Sequence, residues 1–178
     1  MVNVNDFKFW EDIYLNNDTG WDLGDPTPVF IEISKQIKPG KLIILGCGRG
    51  YDAVMFAKKG FEVTAVDFSP SAVNFLSNLS NKNKVKVNII QEDLFILNER
   101  YINHFDYVIE QTCFCAIDPN RRIEYEKLVR TIIKVNGSLI GLWFPLGKRI
   151  KEGGPPWGVS EFEVKSISKS VLELKPSQ

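Results

Sequence analysis

Gly46-Cys47-Gly48-Arg49-Gly50 stands between a short apolar run, Leu42 to Leu45, and a helical stretch from about Tyr51 to Lys59. Glycines in such a turn let the backbone approach a ligand closely and adopt positive φ. Asp67 closes a second apolar run, 21 residues after Gly46. In a doubly wound sheet this spacing brings the carboxylate to the same sheet edge as the turn, where it accepts hydrogen bonds from ribose hydroxyls. Asp93, just past a third run, is placed to reach an adenine amino group, with the Leu94 backbone beside it. Turn and acids, following successive strands, point to an adenosine-containing cofactor. The dinucleotide fingerprint G-x-G-x-x-G needs its last glycine where this chain has Tyr51. No lysine lies near the turn, and the phosphate-loop pattern G-x-x-x-x-G-K-[S/T] is absent. A nucleoside with an unphosphorylated far end, such as S-adenosylmethionine, fits better.

Other candidates surround this pattern. Phe7, Phe9, Trp10, Tyr14 and Trp21 crowd the first 21 residues, and Trp10 and Tyr14, four apart, share one helix face. A sulfonium is a cation, and aromatic faces attract cations by roughly 0.5–2 kcal/mol per contact. The same rings also suit a hydrophobic plug. Glu110 ends a fourth apolar run, facing a donor or acceptor or capping nearby amides. Cys113 and Cys115 lack a metal-ligand spacing with Cys47 or His104 and read as structural or pocket-lining thiols. His104 reads as an exposed loop residue. Arg121 and Arg122 read as a solvated helix face, with one of them steering an anionic acceptor as the rarer alternative. Gly154-Pro155-Pro156-Trp157 reads as a rigid loop over the acceptor, Trp157 forming an apolar wall.

The elements that position these residues follow from periodicity. Pro26-Thr27-Pro28 opens a helix to about Ile37, closed by Pro39-Gly40. Strands are expected at Leu42–Leu45, Phe61–Val66, Val85–Ile90, Tyr107–Glu110 and Ser138–Phe144. Ser69-Pro70 and Asp118-Pro119 are cap-plus-proline helix starts, the second helix running to about Lys134, and Asn136-Gly137 reads as the turn into the fifth strand. Strands alternating with helices give an α/β fold with a doubly wound, mostly parallel sheet. With 178 residues, 44% hydrophobic and 25% charged, the chain fits one ordered domain. Twenty-two basic and 22 acidic residues argue against a general nucleic-acid binder. Absence of a signal sequence and of an apolar run near 18 residues, with three unpatterned cysteines, points to a reduced cytoplasmic protein.

Several strings resemble class I S-adenosylmethionine-dependent methyltransferases of the thiopurine methyltransferase family, closest to its thiol, thiocyanate and halide methyltransferases. They are Trp10…Tyr14…Trp21, WDLGDPTP (Trp21–Pro28), LGCGRGYDA (Leu45–Ala53), VDFSPSAV (Val66–Val73), FCAIDPNRR (Phe114–Arg122) and GGPPWGVS (Gly153–Ser160). The resemblance covers roughly Phe9 to Val159. It implies that Trp10, Tyr14 and Trp21 belong to a helical N-terminal lid, residues 1–37, over a sheet domain from about residue 41. Tyr14 departs from the Trp common in plant relatives. Gly46, Gly48, Asp67, Phe68, Asp93 and Leu94 match cofactor-contacting positions. Gln111 matches another, where those relatives have Tyr. Relatives continue beyond GGPPW into a strand hairpin, whereas Glu161 to Gln178 are all that follow here, so a shortened C-terminal end of the sheet is expected.

The reading is methyl transfer from S-adenosylmethionine to a small soft nucleophile: a thiol, thiopurine, thiocyanate or halide. Such acceptors need no strong base, so no residue is assigned as catalytic acid, base or metal ligand. Glu110, Cys113, Phe114 and Trp157 are the acceptor-side candidates. A monomer acting on a small molecule, without nucleic acid or membrane, is expected. The alternatives are a non-catalytic module that binds the cofactor and, on the same kind of sheet, a nicotinamide-dependent oxidoreductase.

Overall fold

The computed structural model of the chain describes residues 3–172. Its residues group into two compact units, Asp6–Leu94 and, with residues 1–5, the part from Phe95 onward.

In the first unit, helix α1 (Phe7–Leu15) begins at Asp6, whose side chain accepts the Lys8 amide. Helix α2 (Pro28–Ile33) has Thr27 as N-cap and proline in its first turn. It is shorter than expected: the Ser34 hydroxyl donates to the Ile31 carbonyl at 2.6 Å, and turns replace the last expected turn to Ile37. Strand β1 (Lys41–Leu45) buries Leu42, Ile43, Ile44 and Leu45. Each such side chain contributes roughly 1.5–3 kcal/mol, so β1 cannot move without unfolding its unit.

Helix α3 (Tyr51–Lys58) is tied back to α2: Asp52 accepts the Thr27 amide and hydroxyl, both at 2.8 Å. Strand β2 (Glu62–Asp67) pairs parallel with β1 and delivers Asp67 at its carboxyl end. Helix α4 (Pro70–Lys82) starts as the sequence indicates, the Ser69 hydroxyl accepting the Ala72 amide. Strand β3 (Val87–Gln91) lies parallel to β2, with Asp67 level with Gln91. It begins two residues later than expected.

The second unit contains helix α5 (Leu97–Arg100), strand β4 (Phe105–Gln111), helix α6 (Arg122–Ile132), strand β5 (Ile133–Leu142) and helix α7 (Glu161–Leu172). Asp118-Pro119 caps a short 3-10 turn before α6. Strand β5 corrects the sequence expectation. It follows α6 directly, and Asn136-Gly137 sits within it rather than before it. Phe105 pairs with Ile133 but Tyr107 with Ser138, so the intervening β5 residues form an irregularity. Asn136 there has φ +69°, and a Cβ on Gly137 would lie 2.9 Å from the Lys134 carbonyl. The turn chemistry was read correctly but bulges a strand instead of starting one. His104, expected exposed, packs its ring near Tyr101 and Phe105, with centroids 5.1 and 4.9 Å away.

In the first unit the strands lie in the order β3-β2-β1, in the second β4 pairs with β5, and all of these pairings are parallel. This is the doubly wound α/β class. Among the described residues no strand follows β5, and none of the helices is long and apolar enough to cross a membrane. Of Glu161 to Gln178, where the shortened end was expected, the part to Leu172 forms α7 and the rest lies outside the described residues.

Gly50 gives a direct test of the turn before α3. It caps that helix at φ +75°, and a Cβ would collide with Leu76 Cδ1 and lie 2.8 Å from Cγ. Leu76 is fully buried and has nowhere to go. Gly50→Ala is expected to cost about 2 kcal/mol or more in chemical denaturation, from overpacking and the left-handed backbone.

Candidate functional site

The glycine turn and the end of β2 meet at one carboxylate. The Gly48 amide donates to Asp67 Oδ2 at 2.9 Å, and the Ser69 amide donates to Oδ1 at 3.0 Å. The turn can do this because Gly46, Gly48 and Gly50 all have positive φ, at 62°, 54° and 75°. The Cys47 amide meanwhile donates to the Val66 carbonyl at 2.8 Å, closing the turn onto β2. Burial raises the Asp67 pKa, while the Ser69, Gly48 and Phe68 amides oppose the rise. Each carboxylate oxygen still has lone-pair capacity for a hydroxyl donor. Phe68 is half-buried beside it. Asp93 and Leu94 come two and three residues past the level of Asp67 on the neighbouring strand.

The N-terminal arm is fixed to the same two turns. Glu11 of α1 takes the Ser69 hydroxyl at 2.7 Å, the Ser71 amide at 2.9 Å and the Ser71 hydroxyl at 2.6 Å. Desolvation opposes the effect, but bonds from Ser71 and Ser69 hold the Glu11 carboxyl below its ordinary pKa. At the other end, Arg49 of the glycine turn binds Asp22 at 2.7 Å. Between these anchors, Trp10 and Tyr14 each meet Trp21 edge-on, with centroids 5.8 and 6.0 Å apart. Burial, then the Asp67 charge, raise the Tyr14 pKa, so this ring stays a neutral phenol. A Cβ on Gly48 would stand 3.1 Å from the Tyr14 hydroxyl. The arm thus lies directly on the glycine turn.

In the second unit, β4 ends in Glu110 and Gln111, and the chain turns back sharply at Thr112, φ +57°. Glu110 Oε1 accepts the Cys113 and Phe114 amides, both at 2.8 Å. Of the two roles open from the sequence, this is the cap. Burial pushes the Glu110 carboxyl up to about 7, against those two bonds. The Trp157 amide donates to the Cys115 carbonyl at 2.8 Å, so the Gly-Pro-Pro-Trp loop is anchored on the same turn. Phe114 is 2% exposed and packs edge-on against Tyr125 and Trp143. Burial, then the Glu110 charge, push the Cys115 thiol up to about 12, so it is no thiolate nucleophile at neutral pH. The arginines are not the solvated face expected. Arg122 is 6% exposed, bonded to Glu163 at 2.7 Å and the Gly158 carbonyl at 2.9 Å, and Arg121 stacks 3.7 Å from the Phe95 ring centre.

A family model, Thiopurine S-methyltransferase (TPMT), matches residues 5–177. The chain belongs to the thiopurine S-methyltransferase family. It is 31% identical over 171 residues to the probable thiol methyltransferase 2 of Arabidopsis thaliana, covering 94% of this chain and 74% of that one. It is 32% identical over 157 residues to the thiocyanate methyltransferase 1 of Brassica oleracea, covering 85% and 67%. Its fold is similar to the 1,6-didemethyltoxoflavin-N1-methyltransferase of Burkholderia thailandensis, solved with 1,6-didemethyltoxoflavin and S-adenosylhomocysteine. That match has a TM-score of 0.72 at 17% identity, covering 93% of this chain and 75% of the other. The chain spans 50–58% of three other solved chains it resembles.

As a member of this family the chain has S-adenosylmethionine as its cofactor, and the residues present fit it. Asp67 offers carboxylate oxygens, glycines keep the turn free of side chains, and Trp10, Tyr14 and Trp21 offer aromatic rings to a cation. The first unit brings together Trp10, Tyr14, Trp21, Gly46, Gly48, Asp67 and Phe68, while Asp93 and Leu94 follow the end of the adjoining strand β3. The second groups Glu110, Gln111, Cys113, Phe114 and Trp157. Sequence reasoning missed Glu11 and Arg49, which hold the arm. Neither carries a local signal, because their partners lie about 60 and 27 residues away.

Glu110 predicts a pH effect on stability. Its folded pKa, about 7, lies above the ordinary 4.5, so between these values the folded state binds more protons than the unfolded. Stability therefore falls as pH rises through this window and levels off above it. Glu110→Gln keeps an oxygen for both amides and removes the titration. From pH 5 to pH 8 the variant is expected to gain on the wild type by up to about 3 kcal/mol in chemical denaturation. A pH-independent difference would show that this carboxyl ionises normally.

Proposed function

We propose that this chain, as one methyltransferase domain, methylates a small soft nucleophile whose sulfur or halide is already electron-rich: a thiol, thiopurine, thiocyanate or halide ion. Bound S-adenosylmethionine supplies an electrophilic methyl group on a sulfonium. The observation that carries the reading is the double engagement of Asp67 by the glycine turn and the Ser69 turn, in a chain of this family. The relatives' names, thiol methyltransferase and thiocyanate methyltransferase, support the acceptor class.

The chain's own residues perform binding and exclusion. Asp67 accepts ribose hydroxyls with the lone pairs its two amides leave. Asp93 and the Leu94 backbone hold the adenine side, and Gln111 adds a polar contact at the end of β4. Trp10, Tyr14 and Trp21 face the cation and keep water out. On the acceptor side, Glu110 fixes the Cys113–Phe114 turn, and Cys113, Phe114 and Trp157 supply an apolar, weakly polar lining. Neutral Cys115 and Tyr14 take no proton. Rate comes from alignment and water exclusion, worth roughly 7–11 kcal/mol. The cysteines, none of them in a disulfide among the described residues, suit a reducing cytoplasm, and the balanced charge suits a monomer without nucleic acid.

Two measurements test this. Asp67→Asn leaves one amide facing a donor and removes the charge, so affinity for S-adenosylhomocysteine by calorimetry should fall at least about tenfold. Its melting temperature should also drop, because the carboxylate holds two turns. Unchanged affinity would remove Asp67 from the site. Release of S-adenosylhomocysteine with iodide and thiocyanate should be level from about pH 8 to 9, above the Glu110 titration, while thiols of pKa near 8.5 should speed up through that range. Turnover with none of these acceptors would sink the soft-nucleophile reading.

A further inference from the structure

Arg49 is the one cation of the glycine turn, and the arm is wrapped around it. Its guanidinium donates to Asp22 at 2.7 Å, Thr19 at 3.4 Å and Asn17 at 3.2 Å, all on the segment that follows α1. Its centre lies 5.9 Å from the Tyr14 ring and 5.4 Å from the Phe75 ring. Asp22 is fixed in turn, its other oxygen accepting the Gly24 amide at 2.8 Å. Arg49 and Asp22 are only 21% and 9% exposed, so solvent screens this pair weakly. Trp21, the ring that Trp10 and Tyr14 both touch, is adjacent to Asp22.

The charges matter as much as the clamp. Three charged groups surround the Tyr14 ring: Asp67 and Asp22, both of which act on its hydroxyl, and Arg49 above its face. With Asp67 ionised, they sum to one negative charge. The donor is a sulfonium cation, whereas the product S-adenosylhomocysteine is a neutral thioether there. A fixed charge beside these rings therefore separates donor from product, which shape alone does poorly.

Resting on the cofactor reading above, we infer that Arg49 and Asp22 are positioning residues whose paired charges both hold the aromatic arm on the glycine turn and set the preference for the cationic donor over the neutral product. Asp22→Asn leaves Arg49 uncompensated and repels the sulfonium. Arg49→Met leaves Asp22 uncompensated and attracts it. Both weaken the arm.

Calorimetry with S-adenosylmethionine and S-adenosylhomocysteine tests the pair. Both single variants should bind S-adenosylhomocysteine about tenfold more weakly, from lost charge-assisted bonds. The ratio of donor to product affinity should move in opposite directions, falling about threefold to tenfold in Asp22→Asn and rising similarly in Arg49→Met. Arg49→Lys keeps the charge without the fork, so it should weaken both ligands and leave the ratio near wild type. The double variant should restore the ratio but not the affinity. If the wild type binds neither ligand, the cofactor reading fails. If the variants weaken both ligands by one common factor, or by none, that reading stands and the charge role of Arg49 is overturned.

Discussion

A single carboxylate organises the first unit. Asp67 joins the glycine turn after β1 to the turn that opens α4, one amide to each oxygen. Without it, two part-buried amides lose their charged acceptor, at about 1 kcal/mol or more each. The turn conformations themselves depend on this. Gly48 lies at φ +54° with its amide donating to that carboxylate. The arm then depends on the turns, since Glu11 binds Ser69 and Ser71 and Arg49 belongs to the glycine turn. One acid at a strand end therefore fixes backbone, cap and arm together. A ribose would find that acid already oriented.

The same logic shows which parts of the site were readable from the sequence. Gly46, Gly48, Asp67 and the Ser69-Pro70 cap announce themselves by local spacing, because strand–turn–helix geometry is set within a few residues. The order of strands and helices was readable for the same reason. Helix α2 and strand β5 were not placed correctly, since their ends are decided by tertiary contacts. Ser34 folds back on Ile31, and Phe105 holds register against Ile133 before the bulge. Arg122 looked like a surface residue because an arginine in a first turn usually is. Its burial comes from Glu163, 41 residues on, which no local pattern reveals. Arg49 and Glu11 escaped for that reason too.

Burial and hydrogen bonding compete for the charge states in both units. In the first, hydrogen bonds keep acids in service: Glu11 is held low by serines, and amides oppose the burial that raises Asp67. In the second, bonds from Ser160 and Arg122 hold Glu163 low against its desolvation, but around the end of β4 burial prevails. Cys115 is pushed to about 12, Glu110 to about 7, and Tyr125 well above its usual value. Desolvation disfavours charge on all three, so at neutral pH Cys115 and Tyr125 keep their protons and the Glu110 carboxyl is partly protonated. A thiolate, thiocyanate or halide needs only to lose part of a weak hydration shell. On the function proposed above, the low-polarity side chains of Cys113 and Phe114 would suit such an acceptor, because its methylation moves no proton.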